Sequence, residues 1–267
     1  CSSDLVVLAL AAAWAQPGLA AEDRERGVGD VVYVPTPQIV VDEMLSMAKT
    51  GPNDFIIDLG SGDGRMVITA VKKYGARGFG VEVSDDLLDE ARNNAKANGV
   101  ADRAEFRKQN LFETDLSQAT VITTYLLPSM KEKLRPKILD LKPGTRIVSN
   151  SFTMGEWQDD ETATVDSTQG CTTYCTAHFW IVPAKVQGTW KLGDGELTLK
   201  QEFQMLSGTL TAGGKSMAIA NGKMRGDEIQ FIAGGTEYAG KVSGGLMEGA
   251  TKSGSGSGRF QATRTGS

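Results

Sequence analysis

Three glycines at alternate positions follow an apolar run in the segment from Phe55 to Ala70, FIIDLGSGDGRMVITA. Glycine permits backbone conformations and close approaches that a Cβ atom would prevent, so this spacing is typical of a turn that cradles a nucleotide. A P-loop would require Lys and then Ser or Thr after its last glycine, whereas Arg65 follows Gly64. The dinucleotide fingerprint Gly-x-Gly-x-x-Gly also fails, because its third glycine would fall at position 65. The segment therefore predicts a nucleotide-binding turn of another kind.

Acidic residues accompany this turn. Asp58 stands two positions before the first glycine, where a carboxylate suits an ammonium group and would repel a bare pyrophosphate. Glu82 ends the next predicted strand, 18 positions after Gly64, and a carboxylate there can accept hydrogen bonds from both hydroxyls of a ribose. Ser61 and Asp63 are available for hydrogen bonds around the turn. Asp58 thus argues against a phosphate ligand, and Glu82 favours a ribose.

The elements that must position these residues alternate between strand and helix from about position 31 to 183. Short apolar strands separated by helical periods predict a parallel, doubly wound, Rossmann-like α/β sheet with helices on both faces. Five such strands are followed by two more, ETATVDS and TAHFWIVPA, which have no helix between them and predict an antiparallel pair at the sheet edge. Thr36 is predicted to cap the first helix, with Pro37 as its first residue, and Ser84 to cap the third.

The sequence changes character after Pro183. Strand-like runs punctuated by glycine predict a small antiparallel barrel or sandwich, within which KSGSGSGRF is predicted to be a flexible loop. This part has a net charge of +3, against −8 for the rest of the chain. We therefore predict three parts: a signal-like segment at 1–21, a doubly wound domain at 28–184 and a β-rich domain at 185–267.

The glycine turn with its preceding Asp resembles the first motif of class I S-adenosylmethionine-dependent methyltransferases. Four segments, VVYVPTP, DLGSGDGR, GVEVS and TTYLLPSM, further resemble the lysine methyltransferases that modify the adenine nucleotide translocase and the c-subunit of the ATP synthase, together with their bacterial relatives. The resemblance covers about residues 28–184. It implies S-adenosyl-L-methionine as cofactor, a seven-stranded methyltransferase sheet and methyl transfer to an amine such as a protein lysine.

The resemblance also implies which residues form the site. The cofactor-binding residues would be Tyr33, Thr36, Asp58, Gly60, Ser61, Gly62, Gly64, Glu82, Asn110 and Leu111. Asn110 takes a position where the family often has Asp, which accepts a hydrogen bond from the adenine amino group. On the acceptor side, Tyr125 would orient the amine and Pro128 would contact the substrate. Packing against the sheet is the alternative role for Tyr33 and Tyr125.

Other functions remain open on the sequence. The segment TTYLLP is not an Asn/Asp-Pro-Pro-Tyr box, which argues against methylation of nucleobase amino groups. A net charge of −5 without a Lys/Arg run disfavours a nucleic-acid partner. A small-molecule methyltransferase and a non-catalytic, envelope-located binding protein on the same scaffold are the two alternatives to a protein-lysine enzyme.

The apolar run from Leu5 to Ala15, followed by small residues around Ala20 and Ala21, is typical of an export signal. The protein would then be located in the periplasm or cell envelope. If the run is an uncleaved anchor, this segment would hold the protein at the membrane. If the run is a buried helix, the protein would be cytoplasmic.

Cys171 and Cys175 could form a disulfide only across a turn, because four residues of continuous strand would separate them by about 13 Å. Two unpaired thiols are the alternative. We expect no metal site, since His178 is the only histidine and its predicted role is structural.

Overall fold

The computed structural model describes residues 26–28 and 31–266, so the predicted signal-like segment at 1–21 lies outside the described residues. The chain divides into two compact units on either side of the bond between Val34 and Pro35. The first unit contains an antiparallel hairpin of β1 (Arg26–Val28) and β2 (Val31–Tyr33). All other elements of the described residues belong to the second unit. Of the helices within the described ranges, none is long and apolar enough to span a bilayer.

A seven-stranded sheet forms the first half of the second unit. Its strands in chain order are β3 (Phe55–Leu59), β4 (Arg77–Glu82), β5 (Ala104–Lys108), β6 (Val121–Thr124), β7 (Arg146–Asn150), β8 (Glu161–Thr164) and β9 (Thr176–Ile181). They lie in the order β5-β4-β3-β6-β7-β9-β8. The first five are parallel, and β9 runs antiparallel to both β7 and β8. The predicted doubly wound sheet with an antiparallel edge pair is confirmed.

Four helices cover the sheet, and local sequence explains where they begin and end. Ser84 caps the third helix, since its Oγ accepts a hydrogen bond from the Leu87 N–H at 3.5 Å. Gly75 ends the second helix in the left-handed conformation, with a φ of 74°. The helices are α1 (Gln38–Met47), α2 (Arg65–Tyr74), α3 (Asp85–Ala97) and α4 (Pro128–Leu139).

The predicted cap of α1 is wrong. Helix α1 begins at Gln38 and is preceded by Pro37, so Thr36 lies one position too early to cap it. The first-turn N–H groups receive no side-chain cap. The carbonyl of Thr36 instead accepts a hydrogen bond from Arg65 Nη1 at 2.8 Å, which ties this segment to the start of α2.

Alternate residues of β3 belong to two different cores, one on each face of the sheet. Ile56 packs with Val40 and Met44 of α1, whereas Ile57 packs with Leu134 of α4. Because both faces are buried, β3 is apolar along almost its whole length. The functional groups of this sheet must therefore come from strand ends and loops.

The remaining strands close into an eight-stranded antiparallel barrel. Each strand pairs with the next, and the last pairs with the first. Closure decides between the predicted barrel and sandwich, and the buried side chains of Trp190 and Phe231 belong to its core. The strands are β10 (Gly188–Leu192), β11 (Gly195–Glu202), β12 (Met205–Ala212), β13 (Lys215–Arg225), β14 (Glu228–Ala233), β15 (Thr236–Ser243), β16 (Leu246–Ser253) and β17 (Gly256–Gly266).

The segment KSGSGSGRF, predicted to be a flexible loop, is mostly strand. It forms the hairpin between β16 and β17, where Ser253 pairs with Gly256 and Thr251 with Gly258. Pairing between the two strands of the hairpin, together with the pairing of Lys252 with Glu237 of β15, overrides the intrinsic flexibility of the Gly-Ser repeat.

The barrel docks on the antiparallel edge of the sheet through a buried ion pair and a ring stack. The Asp160 side chain has no exposed surface, and its Oδ1 lies 3.0 Å from Lys223 Nζ of β13. Its Oδ2 accepts a hydrogen bond from the Ile181 N–H at 3.0 Å. Beside it, Phe203 stacks on Trp157 with ring centroids 6.1 Å apart. These contacts join the barrel to strand β9.

Replacing Lys223 with Met should lower the free energy of unfolding by roughly 2 kcal/mol, because the buried carboxylate of Asp160 would lose its cationic partner and keep only the Ile181 N–H. Urea denaturation followed by circular dichroism measures the change. Lys241→Met is the matched control on the same barrel, since Lys241 is 67% exposed and lies 3.6 Å from Asp227. We expect less than about 1 kcal/mol there. Equal losses in both variants would contradict a stabilising role for the Asp160 pair.

Candidate functional site

The predicted chemical residues gather at the carboxyl ends of the parallel strands. Asp58 of β3 pairs in register with Gly80 of β4 on one side and with Thr123 of β6 on the other. The loops that follow these strands therefore lie side by side, where open α/β sheets bind ligands.

The glycine turn after β3 requires its glycines. Gly60, Gly62 and Gly64 have φ values of 80°, 51° and 84°, which lie in the left-handed region. A Cβ atom on Gly64 would lie 2.5 Å from Phe106 Cζ, so a side chain there would displace that ring. The N–H groups of Gly60 and Ser61 both donate to the Val81 carbonyl, at 3.0 and 2.9 Å, which fixes the turn on β4.

Asp58 is a buried carboxyl group, only 6% exposed. Burial raises its pKa to about 7, and the negative charges of Asp63 and Glu82 act in the same direction. The hydroxyl of Thr123 donates to Asp58 Oδ1 at 2.6 Å and partly opposes the shift. Sequence reasoning missed Thr123, although its position at the end of the adjacent strand was a usable indication.

Glu82 ties the glycine turn to the end of β4. Its Oε2 accepts a hydrogen bond from the Gly62 N–H at 3.0 Å. Its Oε1 accepts from the N–H groups of Val83 and Ser84, at 2.8 and 3.0 Å. A carboxylate oxygen can accept about two hydrogen bonds, so Oε2 retains capacity for a further donor.

Asp63 and Arg65 close the other side of the turn. The Asp63 carboxylate accepts hydrogen bonds from the Arg65 N–H at 3.1 Å and from its guanidinium at 2.7 to 3.0 Å. The same guanidinium reaches the Thr36 carbonyl, and Thr36 Oγ1 accepts a hydrogen bond from Asn150 Nδ2 at 3.5 Å. The structure thus brings Thr36 next to the turn, as the cofactor role predicted for it would require.

Asn110 and Leu111 follow β5. The Asn110 amide oxygen accepts a hydrogen bond from the Phe112 N–H at 3.0 Å, an Asx turn that fixes the direction of the amide. The side chain of Asn110 is exposed, and Leu111 is half-buried. Tyr33 ends β2 in the other compact unit, so its predicted contact with the cofactor stays a prediction.

The predicted acceptor residue Tyr125 follows β6 and lies in an aromatic cluster. Its ring centroid is 6.0 Å from that of Phe152 and 5.8 Å from that of Tyr174. Burial, followed by the nearby Tyr174, raises the pKa of the Tyr125 phenol to about 12. The phenol is therefore protonated at neutral pH and is not a ready base. Pro128 is exposed at the first position of α4.

A buried lysine supports this cluster and was not predicted. Lys131 of α4 is 1% exposed, and its ammonium group donates to Ser149 Oγ and to the Phe152 carbonyl. Burial lowers the pKa of Lys131 to about 7. A lysine one turn into a helix predicts a solvated side chain, so only the tertiary structure reveals this contact.

The structure shows whether the two cysteines are paired and what surrounds the histidine. The two cysteines form a disulfide across a turn, with Cα atoms 5.8 Å apart. His178 Nδ1 lies 2.8 Å from Asp159 Oδ2, an arrangement at the sheet edge that agrees with a structural role.

Comparison with known proteins identifies the family. Residues 58–161 match the model of the ANTKMT methyltransferase domain. A protein-lysine N-methyltransferase of Saccharolobus islandicus is 46% identical over 141 residues, which are 52% of this chain and 88% of that protein. The mouse lysine N-methyltransferase of the ATP synthase c-subunit is 31% identical over 133 residues, 49% of this chain and 52% of that protein. The chain thus spans only about half the length of the mouse enzyme.

A solved structure is also similar. It is described as an RNA methyltransferase from Salinibacter ruber in complex with S-adenosyl-L-homocysteine. It is 49% identical, covers 57% of this chain and 96% of its own, and superposes with a TM-score of 0.53. Its bound ligand is the demethylated form of S-adenosylmethionine.

The site fits S-adenosylmethionine as cofactor. Three carboxylates surround the turn and favour a cationic ligand, and Arg65 pairs with Asp63 among them. Within the described part of the chain, the buried hydroxyls of Ser61 and Thr124 have no hydrogen-bond partner, so polar groups are available beside the turn. From the fold, the site and these similarities together, the chain belongs to the class I S-adenosylmethionine-dependent methyltransferases, in the family of the protein-lysine N-methyltransferase of Saccharolobus islandicus.

Proposed function

We propose that this protein methylates the ε-amino group of lysine side chains in a protein substrate. The observation that carries the proposal is the neutral phenol of Tyr125, set in an aromatic cluster at the end of β6 beside the glycine turn. The relatives named as lysine methyltransferases, of proteins generally and of the ATP synthase c-subunit, support the same acceptor.

The cofactor half of the proposal assigns a role to each carboxylate. The ionised form of Asp58 accepts hydrogen bonds from the ammonium group of the cofactor, while the Thr123 hydroxyl fixes the orientation of the carboxylate. Glu82 Oε2, which bonds Gly62, accepts from a ribose hydroxyl. The exposed edge of Asn110 and the side chain of Leu111 contact the adenine.

The acceptor half needs a neutral amine rather than a strong base. S-adenosylmethionine supplies a methyl group on a sulfonium, which is already a good leaving group. A lysine amine has a pKa of about 10.4 in water and must lose a proton, which passes to solvent water, before it can attack. Aromatic rings disfavour the ammonium form less than alkyl groups do, but they still remove water from it and so favour the neutral amine. The Tyr125 oxygen can then accept a hydrogen bond from the neutral amine and so align the lone pair of the amine nitrogen.

RNA is the second candidate substrate, because the 49% identical Salinibacter protein is described as an RNA methyltransferase. The charge of this chain argues against it, because residues 1–183 have a net charge of −8. An assay must also distinguish methylation of a protein from methylation of a small-molecule amine and from a non-catalytic binding function.

The acceptor is tested by supplying the purified protein with S-adenosylmethionine labelled in the methyl group. We expect acid-stable label in the protein fraction, recovered as methyl-lysine after hydrolysis, and no label in a parallel RNA fraction. Label in RNA alone would overturn the protein acceptor. Absence of label in protein, RNA and metabolites, with cofactor binding intact, would favour the non-catalytic alternative.

Replacing Tyr125 with Phe should lower kcat roughly ten-fold, because one hydrogen bond to the amine is lost while the ring packing remains. The affinity for S-adenosylmethionine, measured by calorimetry, should stay unchanged. Tyr238→Phe, a matched phenol in the barrel, is the control and should keep full activity. Full activity of Tyr125→Phe would remove the phenol from the acceptor site.

The affinity for S-adenosylmethionine should depend on pH through Asp58. Its pKa of about 7 in the free protein means that the carboxyl is mostly neutral at pH 5.5 and mostly ionised at pH 7.5. If the ionised form binds the ammonium group, affinity should rise about 20-fold over this interval. Asp58→Asn should bind more weakly and show no such rise.

Calorimetric titrations at the two pH values measure this difference. Asp86→Asn, which removes an exposed carboxylate from the first turn of α3, is the control and should keep the wild-type pH dependence. A pH-dependent affinity that survives in Asp58→Asn would show that another group titrates.

We further propose that the protein is exported to the periplasm or cell envelope. The apolar segment from Leu5 to Ala15 and the Cys171–Cys175 disulfide support this location, because disulfides persist mainly in oxidising compartments. N-terminal sequencing of the protein from the envelope fraction should find a chain that begins just after Ala20 or Ala21. An unprocessed chain in the cytoplasmic fraction would contradict export.

A further inference from the structure

The loop closed by the Cys171–Cys175 disulfide lies between the end of β8 and the start of β9. Cys171 is 2% exposed and packs in the same core as Val40 and Met44 of α1. The Val165 N–H donates to the Cys175 carbonyl at 2.9 Å, and the Ser151 N–H donates to the Thr176 carbonyl at 2.7 Å. Both ends of this short loop are therefore anchored to the sheet.

Tyr174, next to the second cysteine, combines an unfavourable backbone conformation with an exposed side chain. Its φ of 56° is in the left-handed region, which is uncommon and unfavourable for a bulky residue. Its side chain is 48% exposed, so little apolar burial offsets this strain. A strained backbone that presents a large ring to solvent is typical of a functional position.

The ring of Tyr174 extends an aromatic surface beside the proposed acceptor site. It lies 5.8 Å from the ring of Tyr125, whose other neighbour Phe152 stacks at 6.0 Å with an interplanar angle of 21°. The Lys131 ammonium group binds the Phe152 carbonyl. We call Tyr125, Phe152 and Tyr174 the aromatic wall. Tyr125 follows β6, Phe152 follows β7 and Tyr174 precedes β9. In the strand order these three strands lie on one side of β3, and β4, which ends at Glu82, lies on the other.

The chemistry of the aromatic wall suits an alkyl chain that ends in an ammonium or methylammonium group. Ring faces attract such cations, because the face of the π system carries partial negative charge. The three rings contact one another and form an apolar surface, against which the methylene groups of a lysine side chain can pack. A negatively charged or strongly polar acceptor would gain nothing from these faces.

We propose that Tyr174 determines acceptor specificity: its ring binds the lysine side chain together with Tyr125 and Phe152, and the Cys171–Cys175 disulfide holds it in this position. The inference rests on the proposed lysine acceptor. It adds a residue outside the family motif, on a loop that the sequence suggested only through its two cysteines. Tyr174 acts on binding of the acceptor, whereas the Gly60–Gly64 turn acts on binding of the cofactor.

The first test compares steady-state kinetics of Tyr174→Ala and Tyr174→Phe, with a lysine-rich peptide as the methyl acceptor. Tyr174→Ala should raise KM for the peptide about 5- to 20-fold and leave kcat and the affinity for S-adenosylmethionine within two-fold of wild type. Tyr174→Phe retains the ring face and should behave like wild type. Met205→Ala, which removes a 53% exposed apolar side chain from the barrel, is the control.

The second test removes the disulfide. Reduction by dithiothreitol breaks the S–S bond, gives each sulfur one electron and one proton, and oxidises the reagent to its cyclic disulfide. The reduced protein and the Cys171→Ser/Cys175→Ser variant should show the same rise in KM as Tyr174→Ala. Reduction of Tyr174→Ala should cause no further rise, because the ring is already absent. Thermal melting checks that each variant is folded, and Tyr174→Ala keeps the test decisive if the double variant is not.

The outcomes separate this inference from the proposed function. If the wild type methylates the peptide but Tyr174→Ala keeps its KM, Tyr174 has no role in specificity while the lysine acceptor stands. If the wild type binds S-adenosylmethionine and methylates no lysine, the acceptor and the role of Tyr174 both fall. A loss of S-adenosylmethionine affinity in Tyr174→Ala would also overturn the inference, because it would place the ring on the cofactor side.

Discussion

The geometry of the cofactor side depends on one carboxylate, that of Glu82. Three glycines at alternate positions give the turn after β3 its shape, but glycine also gives the unfolded chain the greatest backbone freedom. The hydrogen bond from the Gly62 N–H to Glu82 Oε2 fixes the middle of the turn to the end of β4, and the N–H groups of Val83 and Ser84 fix the carboxylate itself. Because a charged acceptor holds these donors, the turn keeps its shape without a bulky side chain that would fill the space beside it.

Charge explains why this arrangement suits a cationic cofactor. Asp58, Asp63 and Glu82 lie close enough that the last two raise the pKa of the first, and Arg65 pairs with Asp63. Keeping carboxylates together is unfavourable unless a positive charge arrives, so the site favours a ligand with a sulfonium and an ammonium group. A phosphate-bearing cofactor would meet the opposite field. For this physical reason, the glycine spacing alone does not identify the kind of nucleotide that the turn binds, whereas the acidic residues beside it do.

The sequence was sufficient for features that depend on neighbours along the chain. The βα order, the Ser84 cap and the Asp58–Gly64 turn are local, and all are present in the structure. Features that depend on tertiary contacts were missed or wrong. Thr36 does not cap α1, because Pro37 already precedes the helix. Lys131 is buried by contacts with β7 and the loop after it. The Gly-Ser repeat is strand because its two halves pair with each other in the β16–β17 hairpin. Nothing in the sequence connects Tyr125 with Tyr174, which are brought together by β9 pairing with β7.

Strand β9 links the proposed acceptor side to the barrel. It begins directly after Cys175, beside the aromatic wall, and ends at Ile181, whose N–H is held by Asp160, the partner of Lys223 in the barrel. A strand paired on both sides is stiff, so the loop at one end and the barrel at the other have fixed positions in the sheet. The two halves of the proposed site thus have different structural origins. The cofactor half follows from a local turn that resembles the first motif of class I methyltransferases. The proposed acceptor half follows from an antiparallel edge that carries a disulfide and a barrel, so changes there can leave the glycine turn unaltered.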